Sequence, residues 1–358
     1  IVEMRLRQLT GLEQDKLRGE YEEIMKLIAG LKELLASKEL RMELIKTELI
    51  EIKDKYGDER RSQIEYSGGD VSIEDLIADE NVVITISHAG YIKRTNLSEY
   101  KTQNRGGVGQ KSAATRDQDF LEHLFVATNH QYLMFFTQKG KCFWMRVFEI
   151  PEGTKASKGR AIQNLINIEN DDKVKAYICT QDLKDEEYIN NHFVIMATKN
   201  GQVKKTPLEQ YSRPRQNGIN AITIKDNDEL LEAKLTTGNS HVLLAVKSGK
   251  LVRFEESKTR PMGRTASGVR GITLANDQDE LIGMVAIDEN DINDSQILVV
   301  TENGYGKRTK LVDDDGEDVY RVTNRGGKGV KTLNLTEKTG SLISINGVTD
   351  EDDLMIIN

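Results

Sequence analysis

A run of glycines beside an arginine is the part of this sequence best suited to hold an anion. The run consists of Gln103, Asn104, Arg105, Gly106, Gly107, Val108 and Gly109, with Lys101 and Lys111 close by. Three glycines let a backbone approach a ligand with its amide N–H groups turned outward, and an arginine fork suits phosphate oxygens. A second version holds Arg325 and Lys328 in Asn324-Arg325-Gly326-Gly327-Lys328-Gly329. Because such loops read phosphates and not base edges, both runs predict nucleic-acid binding that is independent of base sequence.

A second group of basic residues follows directly after glycine turns that recur along the chain. Its members are Lys93, Arg94, Lys204, Lys205, Arg253, Lys307 and Arg308. For a single turn, a solvated strand face with lysines that protect a sheet edge is the simpler explanation. Recurrence after four of five turns favours a basic belt for binding, although the second turn is followed by Phe143 and Trp144.

The overall charge has to be reconciled with such a belt. The 358 residues carry 50 Lys and Arg against 58 Asp and Glu, a net charge of −8, which by itself argues against a nucleic-acid partner. The acidic residues, however, gather in separate segments such as 169–172, 182–187, 288–294 and 350–353. We therefore expect a segregated field, basic along one belt and acidic elsewhere.

Other chemistry finds little support in the sequence. The five histidines are not spaced as metal ligands, and Ser248-Gly249-Lys250 lacks the pattern of a phosphate-binding loop that opens a helix. We expect no catalytic residue, no metal site and no cofactor in this part of the protein. Two cysteines and the absence of an apolar run long enough to cross a bilayer predict a cytoplasmic protein without membrane association.

An internal repeat must position the basic residues. Five units each combine an apolar strand, a turn ending in glycine and a second strand, and their turn glycines are Gly90, Gly140, Gly201, Gly249 and Gly304. A second glycine follows in each unit, and further short strands come after it. Four short strands per roughly 50 residues predict blades arranged about an axis. We therefore predict a mainly β fold of six propeller-like blades, five whole and the sixth cut off after a first strand at 353–357.

Helical periodicity is confined to the start of the chain. A seam at Leu17, Tyr21, Ile24, Ile28, Leu31 and Leu35 is spaced as in a coiled coil. Ser37 is the predicted N-cap of a second helix, which Gly57 ends. We assign 1–57 to a helical coiled-coil segment, 58–70 to a linker and 71–358 to the β domain. Ile1 falls within the pattern, so we expect a piece of a longer protein.

Together these features resemble the carboxy-terminal part of the DNA gyrase A family. The resemblance covers LRQLTGLEQDKL in the helical segment, Asp58-Glu59-Arg60-Arg61 after it, and the blade phrases GQVKKT, GVRGI and NGYGKRT. The family's GyrA box, Q-[RK]-R-G-G-[RK]-G, matches Gln103–Gly109 in position. Asn104 and Val108 replace two of its basic residues, so the box carries less charge than the family pattern.

The resemblance implies a six-bladed β-pinwheel that wraps duplex DNA around a basic rim. It implies that the whole protein supercoils DNA negatively, using ATP and Mg²⁺ bound by its other parts, as a tetramer of two A and two B subunits. The family's cleaving tyrosine and ATPase sites lie outside this chain. Two alternatives stay open. One is the DNA-steering domain of a topoisomerase IV A-type subunit; the other is a propeller-like protein-interaction module, which the charge of −8 favours.

Overall fold

The computed structural model describes residues 11–62, 74–99, 119–181, 183–313 and 315–352. The chain divides into two compact units, residues 1–70 and 71–358. The fold is mainly β, with five propeller-like blades in the second unit and two long helices in the first. The sixth-blade strand predicted at 353–357 and most of the linker lie outside the described residues.

The helical unit contains α1 at Gly11–Ala36 and α2 at Lys38–Tyr56. The predicted N-cap is confirmed, because the Ser37 hydroxyl accepts a hydrogen bond from the Leu40 amide at 3.3 Å. The apolar side chains of the predicted seam, from Leu17 to Leu35, are exposed in this structure.

The strands of the second unit fall into five groups, one for each sequence repeat. A six-residue helix, α3 at Glu186–Asn191, precedes the third group. The strands are β1 Asn81–Ser87, β2 Tyr91–Asn96 and β3 Leu121–Thr128; β4 Tyr132–Thr137, β5 Lys141–Arg146, β6 Arg160–Ala161 and β7 Val174–Thr180; β8 Phe193–Thr198, β9 Gln202–Pro207, β10 Ile219–Asn220 and β11 Leu230–Thr236; β12 Ser240–Val246, β13 Lys250–Glu255, β14 Val269–Arg270 and β15 Leu281–Asp288; β16 Gln296–Thr301, β17 Gly306–Lys310, β18 Val330–Lys331 and β19 Leu342–Val348.

In the last four repeats, the short strand after the second glycine pairs with the sheet of the preceding repeat. Four sheets have the orders β3–β1–β2–β6, β7–β4–β5–β10, β11–β8–β9–β14 and β15–β12–β13–β18, all antiparallel. The outermost strand of each of these blades is therefore supplied by the following repeat. The fifth sheet, β19–β16–β17, has three strands among the described residues. The sequence indicates four strands in a repeat, whereas the exchange of one of them between repeats is visible only in the structure.

The core lies between consecutive blades. Leu133 and Phe135 of β4 pack with the first blade, whereas Met134 and Phe136 pack with the third. Successive residues of a strand point to opposite faces, so a strand covered by neighbours on both faces is apolar throughout. This explains why the first strand of each repeat is a continuous apolar run.

Candidate nucleic-acid interface

Two lysines of the predicted belt are buried and bind backbone carbonyl groups. The Lys93 Nζ donates to the carbonyl oxygens of Thr154, Lys155 and Ser157 at 2.9–3.0 Å. Lys204 is 0% exposed, and its Nζ donates to the carbonyl oxygens of Ala221 and Arg264, each at 2.6 Å. Burial lowers the pKa of Lys204 to about 7. The prediction that Lys93 and Lys204 belong to a surface belt is therefore wrong, because both lysines form internal contacts between repeats.

In three repeats, the basic residue at the fourth position after the turn glycine forms an ion pair with the next repeat. Arg94 pairs with Glu152 at 3.3 Å, Lys205 with Glu256 at 2.9 Å, and Arg253 with Asp318 at 2.7 Å. Lys205 and Arg253 are buried, and Arg94 is largely covered. These three side chains join consecutive blades, and they are not exposed on a surface belt where a ligand could contact them.

The fifth repeat differs because its second strand is the outermost strand described in its blade. Lys307 and Arg308 on β17 are exposed. The Lys307 Nζ donates to the Thr332 carbonyl at 3.4 Å, and Arg308 pairs with Asp350 at 2.9 Å. Of the post-turn residues, only these two keep the exposure that the belt requires.

The predicted box at Gln103–Gly109, with Lys101 and Lys111, lies outside the described residues. Its counterpart in the fifth repeat is described, and there the Gly326 amide donates to the Gly271 carbonyl at 2.6 Å. This amide therefore joins two repeats and does not face outward as the nest prediction requires. Arg325 is exposed, although its guanidinium also donates to the carbonyl oxygens of Lys258 and Arg270, and Lys328 is exposed.

A different group of basic residues occupies the surface. In each of the last four repeats, the final part of the loop leading to the exchanged strand, with that strand, contains no acidic residue, over 153–161, 210–220, 257–270 and 319–331. Acidic residues precede these segments in the same loops, among them Glu152 and, in the fifth repeat, Asp313, Glu317 and Asp318. We call the exposed basic side chains of these segments the outer-loop cations, leaving out Lys258, which pairs with Glu255 at 3.5 Å: Lys158, Arg160, Arg213, Arg215, Arg260, Arg270, Arg321, Arg325, Lys328 and Lys331.

The outer-loop cations are placed at the outer edge of the blades by strand exchange. Strands β6, β10, β14 and β18 end the four sheet orders, on the side away from the inner strands β3, β7, β11 and β15. Within the part of the chain that the structure describes, none of the ten is in an ion pair. Their charge is therefore available to an anionic ligand that follows these edges. Most of them were not predicted from the sequence, although the acid-free segments that contain them could have indicated a basic surface.

One group of acidic residues lies at the hairpin turns. Carboxylates of Asp119, Asp172, Asp228 and Asp279 accept from the amide just before the turn glycine in four repeats, at 2.9–3.1 Å. Exposed lysines beside these turns are paired, as in the contacts of Lys139 with Asp171 and of Lys247 with Glu280. At the hairpin turns, carboxylates therefore neutralise exposed lysines, whereas the ten outer-loop cations have no carboxylate partner within the part of the chain that the structure describes.

The inner strands surround a cavity of about 610 Å³ at the centre of the blades. His123, Tyr177, Glu232 and Lys234 are among its lining residues. Burial lowers the pKa of His123, and the Glu232–Lys234 pair closes at 2.8 Å. Among residues 11–62, 74–99, 119–181, 183–313 and 315–352, no three His, Cys, Asp or Glu side chains are grouped as metal ligands. In the same part of the chain, no helix has the length and apolar character to cross a bilayer.

Comparison with known proteins places these features in context. Residues 81–128, 131–180, 192–237, 240–288 and 295–348 match the family described as DNA gyrase C-terminal domain, beta-propeller. The chain is 44% identical over its full length to the DNA gyrase A subunits of Staphylococcus epidermidis ATCC 12228 and of Staphylococcus aureus NCTC 8325. It spans 39% of the length of each of these relatives.

Two solved structures have a similar fold. A DNA gyrase A C-terminal domain superposes with a TM-score of 0.61 at 24% identity, covering 76% of this chain and 84% of that one. The C-terminal domain of a DNA topoisomerase IV superposes with a TM-score of 0.58 at 28% identity, covering 77% and 79%.

Proposed function

The chain belongs to the DNA gyrase C-terminal domain family, and on this basis we propose that it binds duplex DNA along the outer edges of its blades. The observation that carries the proposal is the row of outer-loop cations in acid-free segments, repeated from blade to blade. Successive blades place these cations along a path, and a duplex on that path meets new phosphate contacts at each blade. Bending duplex DNA costs of order 1–6 kcal/mol, which such contacts offset.

Neutralising four outer-loop cations is expected to weaken DNA binding and to reduce its salt dependence. We choose Lys158→Gln, Arg160→Gln, Arg213→Gln and Arg215→Gln, on the edges of the first two blades. Each lost phosphate contact lowers the steepness of log K against log salt by about 0.9, so the four together should lower it by about 3 to 4. The measurement is a salt titration of binding to a linear duplex by the full 358-residue chain.

The control removes the same charge from the hairpin-turn side. Lys139→Gln, Lys141→Gln, Lys199→Gln and Lys247→Gln replace lysines whose side chains are 38–46% exposed and already paired with carboxylates. We expect this variant to change the slope by less than about 1. Equal effects of the two variants would show that binding depends only on net charge, which would contradict an outer-edge path. Absence of salt-dependent binding in the parent chain would favour the protein-interaction module instead.

We further propose that the bound DNA is wrapped with positive handedness and so presented for strand passage. The whole protein would then use ATP and Mg²⁺, bound elsewhere, for negative supercoiling in the cytoplasm as an assembly of two A and two B subunits. This chain would contribute DNA binding and no catalytic group. The similarity to a topoisomerase IV domain keeps DNA steering as the second candidate function. Ligation of a nicked circle in the presence of the protein separates the two, because only a chiral wrap shifts the linking number.

A further inference from the structure

A buried lysine occupies the third position after the turn glycine in the first and third repeats. The two lysines differ in which repeats supply the carbonyl groups that they bind. In the third repeat, the Lys204 ammonium joins the Ala221 carbonyl of its own repeat to the Arg264 carbonyl of the next. In the first repeat, the Lys93 ammonium binds three carbonyl groups, all from the following repeat. Phe143 and Val252 occupy this position in the second and fourth repeats. The lysine is therefore not a requirement of the strand itself.

The carbonyl groups held in this way belong to the loops that carry outer-loop cations. Arg264 lies between Arg260 and Arg270, and residues 154–157 directly precede Lys158 and Arg160. Residues 261–268 contain no regular strand longer than an isolated bridge, at Pro261. Five other hydrogen bonds also hold this loop: the Met262 amide donates to the Lys205 carbonyl, the Arg264 amide to Gln210 and the Ala266 amide to the Gly263 carbonyl, and Thr223 donates to the carbonyl oxygens of Thr265 and Ala266. Lys204 supplies the only charged donor among these contacts. A buried donor to a loop carbonyl thus restricts the loop's conformations.

We propose that Lys204 and Lys93 are positioning residues for DNA binding, each fixing the loop of the following repeat so that its cations face the phosphate path. The inference rests on the proposed function. Neither ammonium contacts DNA, because both are buried and engaged with carbonyl oxygens. Their effect on affinity is indirect, through the order of the loop.

The test uses Lys204→Met in the full 358-residue chain, which keeps the length of the side chain and removes its donors. The slope of log K against log salt for a linear duplex should become shallower by about 1, as Arg260 loses its fixed position while Arg270 stays paired on β14. Trypsin should cleave after Arg264 roughly tenfold faster in the DNA-free protein, since the loop opens more often. Lys247→Met, which removes one exposed, paired lysine, is the matched control and should change neither measurement.

A direct variant separates failure of this inference from failure of the proposed function. Arg260→Gln with Arg270→Gln should lower the slope by about 2 without altering cleavage after Arg264. If this variant has no effect on binding, the DNA path itself is wrong. If it has the expected effect while folded Lys204→Met retains the parent slope, the positioning role is overturned and the proposed function stands.

A second variant covers the case in which Lys204→Met does not fold. Lys93→Met should then reduce the slope by about 1 through Lys158, since Arg160 stays paired on β6, and should speed cleavage after Lys158. Failure of both variants to fold would overturn the inference, since the lysine would then serve the fold and not the loop.

Discussion

Replacing Lys205 by methionine is expected to lower the free energy of unfolding by about 3–5 kcal/mol, because it leaves a buried charge without its partner. Glu256 is 0% exposed, and its carboxylate accepts from Lys205 at 2.9 Å, from the Thr236 hydroxyl at 2.7 Å and from the Ser240 amide at 3.2 Å. The Lys205 ammonium also lies 4.1 Å from the centre of the Phe193 ring. The remaining donors cannot replace a cation in this position.

Urea unfolding of the full chain measures the effect, with Lys258→Met as the control. Lys258 pairs with Glu255 at 3.5 Å, and both side chains are 47% exposed. An exposed pair of this kind contributes about 0–1 kcal/mol, so this variant should unfold close to the parent. Replacing Lys205 and Glu256 together by methionine should recover much of the lost stability. Equal costs for Lys205→Met and Lys258→Met would show that the buried pair does not join the third and fourth blades.

Gly268→Ala is the second substitution for which we expect a large effect, about 4 kcal/mol or more. Gly268 has φ +86°, and a Cβ at this position would lie 2.5 Å from the Val203 carbonyl oxygen. Because the obstructing atom belongs to the backbone of β9, no change of rotamer relieves the contact. The exchanged strand β14 pairs with β9 directly after this glycine. The substitution is therefore expected to destabilise the strand pairing that completes the third blade.

Gly90→Ala isolates the contribution of backbone conformation. Gly90 also has a positive φ, +80°, but a Cβ there meets no atom within 4 Å. Conformation alone should cost about 1–2 kcal/mol. The measurement is again the free energy of unfolding in urea, and similar losses for both variants would mean that close approach of β14 is not required.

The hairpins were predictable from sequence because their signals are local. All five turn glycines have φ between +75° and +83°, as a tight turn after an apolar strand requires. Strand exchange was not predictable in this way. Strands β6, β10, β14 and β18 contain two residues each, too few for a periodic signal, and their partners lie in the preceding repeat.

The burial of the post-turn lysines could have been deduced from the repeat itself. Lys204 and Lys205 are neighbours on β9, so their side chains point to opposite faces of the blade. A blade between two others has both faces covered, and neither lysine can then remain in solvent. The outer-loop cations escape this constraint because their loops run along the edge. The predicted box at Gln103–Gly109 occupies the same position of its repeat, which supports it as a proposed DNA contact.

Strand exchange has a consequence for how the chain folds as it is synthesised. A blade is complete only after the next repeat has emerged from the ribosome, and turn glycines lie 48 to 61 residues apart. At about 5–20 residues per second, each blade waits roughly 2–12 s with an unpaired outer edge. Unpaired edges recruit strands from other chains. During translation the newest blade is therefore the site most exposed to mispairing, and each later repeat removes that risk from the one before it.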